Sequence, residues 1–307
     1  MLDLDFWREI LQSIDKNRTR SLLSGFTVAF AILLFTVLFG LANGLNNTFS
    51  EAFVDDAANT IFIRSGRTTK ASNGLQSGRR IQFKNQDYDY LKSDFEPKVE
   101  FITSRVYRNT AASYKNEKNN YTLRAVHPDH KFLEKTKVIN GRYINQRDMD
   151  NHTKIIVIGD LVRQDLFLDE KIVLGKFVNL SGILYKVVGV YKDDGGDDEE
   201  RIIYMPLTTA QRIYGNNDYV DQINLTYNQD LSEEQAIAFG NKVVDKIKDV
   251  FFVAKNDQSA VRARNRAREN QEITQFNGVL AILVLIIGLG TLVGGVVGLS
   301  NIMIIIV

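Results

Sequence analysis

The residue types that most often carry chemistry are sparse in this chain of 307 residues. It has three histidines and no cysteine, which leaves no thiolate nucleophile, no disulfide and no cysteine-based metal site. His127 and His130 flank Pro128, and imidazole is a common metal ligand. Because the proline prevents a regular helix and no third ligand is evident, the sequence favours a loop without a metal.

The acidic run Asp193–Glu200 is the second candidate for a metal site. Calcium prefers several hard oxygen ligands, and this run supplies them around Gly195 and Gly196. The alternating ligand spacing and distal glutamate of an EF-hand loop are missing. Since the run lies between two predicted strands, a solvated hairpin tip is the favoured interpretation, and we predict no metal, cofactor or catalytic residues.

Motifs for catalysis are absent from the sequence. It contains no nucleophile elbow, no HExxH pair and no glycine–lysine phosphate loop, so the chain is predicted neither to bind nor to hydrolyse ATP. A formal net charge of +1 gives no whole-molecule field that favours nucleic acid, and none is expected as a partner. The sequence thus predicts a protein that is not itself an enzyme.

Two uncharged runs determine the organisation of the chain. Residues 21–50 and 273–307 contain no Asp, Glu, Lys or Arg. A helix needs about 20 apolar residues to cross the hydrocarbon core. We therefore predict transmembrane helices over residues 21–45 and 277–307. The first is expected to be an uncleaved anchor, because it is longer than the apolar part of a signal peptide.

The flanking charges orient the two predicted spans. Basic residues precede the first span at Arg8, Lys16, Arg18 and Arg20. By the positive-inside rule the N-terminus is cytoplasmic, and the segment between the spans lies outside. Four arginines before the second span oppose this orientation: Arg262, Arg264, Arg266 and Arg268. Long domains cross the membrane largely regardless of their charge, so the charges around the first span determine the predicted orientation.

Residues 1–20 are predicted to form a cytoplasmic amphipathic helix at the membrane interface. Apolar side chains recur at helical spacing at Phe6, Trp7, Ile10, Leu11 and Ile14. The alternative is a short helix packed on another protein surface.

Glycines at four-residue spacing mark two further faces, where helix backbones are predicted to approach closely in lipid. They are Gly40 and Gly44 in the first span, and Gly290, Gly294 and Gly298 in the second.

The segment between the spans alternates β-rich and helical patches, which predicts an α+β domain over residues 46–255. Strands are expected at Thr60–Ile63, Tyr121–Val126, Ile155–Ile158, Tyr185–Val190, Arg201–Met205 and Ile223–Tyr227. Helices are expected at Gln86–Phe95 and after a capping box of Ser232 with Gln235. Residues 256–276, polar and without Pro or Gly, are predicted to form a helical stalk that runs into the second span. Loops are expected at Ser65–Arg80, Lys115–Asn120 and Asp193–Glu200.

The order and spacing of several short pieces resemble the FtsX/MacB-like family of ABC transporter permeases over nearly the whole chain. These pieces are Trp7–Ile10 and Asn17–Leu23, Asn59–Ile63 with Gly66, Gly141–Tyr143 with Asp148, Val157–Gly159, Leu166–Phe167, Leu174–Lys176, Val187–Val190, Met205–Ala210, and Gly298 with Asn301–Met303. The resemblance implies a multi-pass protein of the bacterial inner membrane with a MacB-like periplasmic core of two subdomains, the inserted one at about 106–219. The family continues into a charged cytoplasmic segment and two more spans, so the sequence is expected to be partial.

The resemblance also implies partners and a mechanism. Two permeases, identical or paralogous, pair with cytoplasmic ABC ATPase subunits, and the stalks transmit ATP-driven movement to the outer domains for export or mechanotransmission. A periplasmic adaptor and an outer-membrane channel often complete such systems. Two other arrangements share the layout of anchor, domain and anchor: a two-span sensor with an outer ligand-binding domain, and a membrane-anchored enzyme.

Overall fold

The computed structural model of the chain describes residues 18–51, 57–168, 170 and 172–303. The helices are α1 (Arg18–Glu51), α2 (Asn85–Phe95), α3 (His130–Leu133), α4 (Gln146–Asp150), α5 (Asp160–Phe167), α6 (Asp197–Glu200), α7 (Leu207–Ile213), α8 (Glu233–Val250) and α9 (Arg266–Met303). The strands are β1 (Thr60–Ser65), β2 (Phe83–Lys84), β3 (Val99–Tyr114), β4 (Glu117–Val126), β5 (Lys137–Gly141), β6 (Ile155–Gly159), β7 (Phe177–Leu180), β8 (Ile183–Lys192), β9 (Ile202–Pro206), β10 (Tyr219–Val220), β11 (Gln222–Tyr227) and β12 (Val261–Asn265). Contacts divide the chain into two compact units, residues 1–51 with 272–307, and residues 52–271.

The first unit contains α1 and the part of α9 from Glu272 onward. Large apolar side chains on both helices are exposed, as Phe26 at 65% and Ile282 at 61% illustrate. Within the described residues, Arg266–Thr291 is the one helical segment that is both long and apolar enough to cross a membrane, and Gly25–Leu41 is apolar but shorter. Two spans therefore stay a prediction.

The second unit is built on one ten-stranded sheet. The strand order is β12-β1-β11-β3-β4-β9-β6-β8-β5, with β7 paired to both β3 and β8. The pairs β4–β9 and β6–β8 are parallel, and the remaining pairs are antiparallel. β2 and β10 form a separate two-stranded ribbon.

One face of the sheet carries the main hydrophobic core. In β1, Ile61 and Ile63 are fully buried, and α8 covers them with an apolar stripe that includes Phe239 and Val243. The capping box predicted for this helix is present: Ser232 Oγ accepts from the Gln235 N–H at 3.3 Å, and the Gln235 side-chain oxygen accepts from the Ser232 N–H at 3.0 Å. A strand with one covered face shows alternation, so β1 presents Phe62 and Arg64 on the opposite face.

The predicted stalk is wrong at its beginning. Residues 256–260 form no helix, Val261–Asn265 is the edge strand β12, and the helix starts at Arg266. In β12 the end residues Val261 and Asn265 are buried, whereas Arg262 and Arg264 are exposed. Pairing with the open edge of β1 outweighs the helical propensity of this segment, because a propensity of a few tenths of a kcal/mol per residue yields readily to tertiary context.

The predicted loop at Lys115–Asn120 is also wrong, because β4 already begins at Glu117 and leaves only Lys115 and Asn116 in the turn. Lys115 takes the left-handed conformation (φ 51°) that such a tight turn requires. All six strand predictions are confirmed within one or two residues at most ends, as is the helix at Gln86–Phe95.

β3, the longest described strand, was not predicted and crosses the expected boundary at residue 106. Its residues up to Arg105 pair with β11, and those from Arg105 onward pair with β4. Residues 52–271 form a single unit, so an inserted subdomain at 106–219 stays a prediction.

Candidate functional site: an arginine-lined cleft

A cleft of about 530 Å³ opens on the polar face of the sheet, opposite the helical core. Two glutamates and six arginines line it, and the arginines are Arg64, Arg105, Arg124, Arg262, Arg264 and Arg266. Strand register creates the cleft. Arg262 lies opposite Arg64, Arg64 opposite Gln222, and Gln222 opposite Arg105, so one row across four strands carries three guanidinium groups.

Two aromatic rings hold the guanidinium groups in place. The Phe62 ring has three guanidinium carbons within 6 Å of its centre, those of Arg105 at 5.5 Å, Arg264 at 5.9 Å and Arg266 at 5.7 Å. The Tyr107 ring has those of Arg64 at 5.7 Å and Arg124 at 5.8 Å. Cations over ring faces are attracted by the ring quadrupole, with about 0.5–1 kcal/mol for each exposed contact.

A buried ion-pair network forms one wall of the cleft. Glu134, just after α3, binds Arg105 and also lies 3.1 Å from the Nη1 atom of Arg124. Arg124 in turn makes a bidentate contact with Glu199, at 2.6 and 2.9 Å. Burial is the largest single influence and acts to lower the pKa of Arg105, but the Glu134 carboxylate and the Tyr107 hydroxyl together outweigh it, and the net direction is upward. The pKa of Arg124 is raised as well, so both buried guanidinium groups are charged at physiological pH.

Both histidines of the 127–130 segment are structural. His127 Nδ1 accepts a hydrogen bond from the Ser104 N–H at 3.0 Å, and its ring stacks on Tyr88 with centroids 4.3 Å apart. His130 is fully buried, and its Nδ1 lies 3.2 Å from the Tyr143 hydroxyl. Burial lowers the pKa of His127 to about 4 and that of His130 well below its usual value, so both are neutral. In the part of the chain that the structure describes, no cluster of three or more His, Asp or Glu side chains could hold a metal ion.

The acidic run is only partly the solvated tip that the sequence favours. It lies between β8 and β9 as expected, but α6 turns Glu199 back onto Arg124. Asp194 pairs with Lys137 at 2.5 Å, and the buried Asp193 accepts from the Gly195 N–H at 3.0 Å. These carboxylates thus serve internal contacts.

Four of the five glycines predicted to mediate helix packing can be compared with the structure. Outside its own helix, no described heavy atom lies within 4 Å of where a Cβ would stand at Gly40, Gly44, Gly290 or Gly294. It is Gly288 that meets α1, because a Cβ there would lie 3.3 Å from the Phe35 ring. Close packing of another helix at the predicted glycines stays a prediction.

Six further predicted residues cannot be compared with the structure. The surroundings of Gly298, and all of Phe6, Trp7, Ile10, Leu11 and Ile14, lie outside what the structure describes.

The cleft itself was missed by sequence analysis, although one signal points to it. Polar side chains alternate with buried apolar ones in Gln222–Tyr227, where Gln222, Asn224 and Thr226 share one face. The same period of two occurs in Val261–Asn265. Chemically, the cleft offers guanidinium donors and no nucleophile, which suits it to binding an anion.

Comparison with known proteins assigns the fold to a family. The family model described as MacB-like periplasmic core domain matches residues 21–238, more than two thirds of the chain. The chain therefore belongs to this family, and the resemblance found in the sequence is confirmed.

Among curated relatives, the chain is similar to the macrolide export ATP-binding/permease protein MacB of Bdellovibrio bacteriovorus, at 24% identity over 300 residues. This match covers 96% of the chain and 45% of the relative. MacB of Campylobacter jejuni is 26% identical over 304 residues, with 95% and 44% covered. The chain thus spans less than half the length of these relatives.

Two solved structures share the fold. The periplasmic region of MacB from Actinobacillus actinomycetemcomitans superposes with a TM-score of 0.58 and 18% identity, covering 71% of this chain and 94% of that one. The extracellular domain of the noncanonic ABC-type transporter YknZ from Gram-positive bacteria gives a TM-score of 0.55 and 18% identity, covering 67% and 100%.

Proposed function

We propose that this chain is a permease subunit of an ABC transporter, set in the bacterial inner (plasma) membrane with the domain of residues 52–271 outside the cytoplasm. Family membership is the observation that carries the proposal. The chain contains no phosphate-binding glycine–lysine loop, so ATP hydrolysis in this account belongs to a separate cytoplasmic ATPase. A second permease copy or paralogue completes the transporter, and a periplasmic adaptor and outer-membrane channel are further partners in this proposal.

The junction between β12 and α9 supports a mechanical role. Asn265 ends β12 and caps α9, because its Oδ1 accepts from the Ala267 N–H at 3.0 Å. Its Nδ2 donates to the Ala236 carbonyl of α8, also at 3.0 Å. α9 then continues without interruption to Met303. An unbroken helix passes displacement along its axis, so ATP-driven movement at the cytoplasmic side would reach the sheet through α9.

A helix break tests the proposal without knowledge of the transported substrate. Glu272 is an exposed residue within α9, and Glu272→Pro removes a backbone hydrogen bond at a cost of about 3 kcal/mol and kinks the helix. Glu272→Ala is the matched control. Each variant is purified in the complete transporter with a spin label on Asn119→Cys in both permease copies, and residues 1–307 contain no other cysteine that would take the label.

We expect ATP with vanadate to shift the distance between the two labels in the Glu272→Ala complex and not in the Glu272→Pro complex. Equal shifts in both variants would contradict transmission through α9. A purified complex that contains no ATPase subunit would contradict the permease assignment itself.

A further inference from the structure

Arg64 and Arg262 form a like-charged pair that has no counterpart elsewhere in the cleft. They lie directly opposite each other on β1 and β12, an arrangement that is destabilising when nothing compensates it. Both side chains are exposed. Arg64 donates through Nε to Gln222 Oε1 at 2.5 Å, and no described carboxylate lies within 4.0 Å of either guanidinium group.

The other four arginines of the cleft are held by carboxylates. Glu134 and Glu199 hold Arg105 and Arg124, and Glu269 holds Arg264 and Arg266. The cleft therefore has a fixed cationic wall and, in front of it, two exposed guanidinium groups whose charge the described protein does not neutralise.

We propose that the cleft binds a phosphate-bearing anion between Arg64 and Arg262. A guanidinium presents a rigid fork of N–H donors that matches phosphate and carboxylate oxygens in pairs. One fork saturates the two oxygens of a carboxylate. Two forks carried by paired residues of neighbouring strands instead suit a tetrahedral group that has three or more terminal oxygens and up to two negative charges.

The size of the cleft indicates what the phosphate is attached to. About 530 Å³ lies within the range of small-molecule sites, roughly 300–1,000 Å³, and leaves room for an organic group beside the phosphate. The partly exposed Tyr107 ring offers apolar surface beside Arg64. The phosphate can belong to a lipid headgroup or to a soluble phosphorylated molecule, and this binding does not depend on the proposed transport function.

Inorganic pyrophosphate is the probe for the site. The full chain is placed in phosphatidylcholine nanodiscs and titrated calorimetrically. We expect the double variant Arg64→Gln/Arg262→Gln to bind at least tenfold more weakly than the wild type. The charge-matched control is Arg80→Gln/Arg147→Gln, which removes two exposed arginines outside the cleft and is expected to bind like the wild type.

Two outcomes would overturn the proposal: absence of binding to the wild type, or equal weakening in the cleft variant and the control. Arg262→Lys provides a second variant that retains the charge and loses the fork. Its affinity should fall severalfold, and an affinity equal to that of the wild type would show that only net charge matters, which also contradicts the site.

The source of the phosphate is assigned by native mass spectrometry of the detergent-purified chain. Fewer phospholipids retained by the Arg64→Gln/Arg262→Gln variant than by the control support a lipid headgroup. Equal numbers, with pyrophosphate affinity still lost, support a soluble ligand.

Discussion

At the scale of single residues, the polar face of the sheet is stable because its buried charges are paired. Arg105 is 4% exposed and would be costly to bury alone. Glu134 neutralises it, and the Phe62 ring lies against its guanidinium group. The neutral histidines lie close by, where burial and, for His130, the positive charge of Arg105 both disfavour protonation.

The buried histidines predict a loss of stability in acid. The folded-state pKa of His127 is about 4, below the usual value of about 6.5, so the unfolded chain binds the proton first as the pH falls. The contribution of the neutral His127 to the free energy of unfolding is therefore present above about pH 6.5 and is lost progressively as the pH falls towards 4. Between pH 7 and pH 5 His127 alone should cost about 2 kcal/mol. Thermal unfolding of the full chain in detergent, followed by near-ultraviolet circular dichroism, measures this loss.

His127→Gln is the control for this pH dependence. Gln cannot take up the proton, so the variant should lose distinctly less stability over the same pH interval, with His130 responsible for part of the remaining slope. Identical pH slopes for the wild type and His127→Gln would show that this histidine is not held neutral by the fold.

At the scale of secondary-structure elements, the local sequence pattern predicted those elements that bury one apolar face with the regular spacing of a strand or a helix. The strand at Ile61 and Ile63 and the capped helix after Ser232 were both found because apolar spacing matches their period. β3 escaped prediction because the buried Ser104 interrupts its apolar alternation between Ile102 and Val106 on the core face. β12 escaped because only the free edge of β1, about 200 residues earlier in the chain, makes that segment a strand.

The cleft could not be predicted for the same reason. Its row of arginines depends on the register between β12, β1, β11 and β3, and short-range spacing does not specify which strands pair or in what register. Individual arginines are visible in the sequence, whereas their assembly on one face is a property of the folded sheet.

The junction between sheet and helix gives a prediction at this scale. Asn265→Ala removes both the cap of α9 and the bond to Ala236, and should cost about 2 kcal/mol. Asn265→Ser retains a capping oxygen and should cost about half as much. Hydrogen exchange of the amides in the first turn of α9 provides the measurement. Asn270→Ala, an exposed position in the same helix, serves as the control, and protection that falls equally in Asn265→Ala and Asn270→Ala would contradict the role of Asn265.

At the scale of the whole molecule, the two units differ in the side chains that they expose. Exposed Phe, Leu and Ile side chains cover α1 and the later part of α9, a surface that water solvates poorly. The twelve residues between Asn265, where β12 ends, and Gly278 are all helical and belong to α9. The exposed apolar side chains of α1 and of the later part of α9 support the arrangement of anchor, domain and anchor that the sequence predicts.

The most direct measurement of that arrangement is the accessibility of single cysteines to a membrane-impermeant maleimide. The chain has no native cysteine, so Asn119→Cys in the exposed part of β4 and Arg18→Cys at the start of α1 each provide one label site. In spheroplasts we expect Asn119→Cys to react at once, and Arg18→Cys to react only after the membrane is permeabilised. Reaction of Asn119→Cys only after permeabilisation would place the domain in the cytosol and contradict the account.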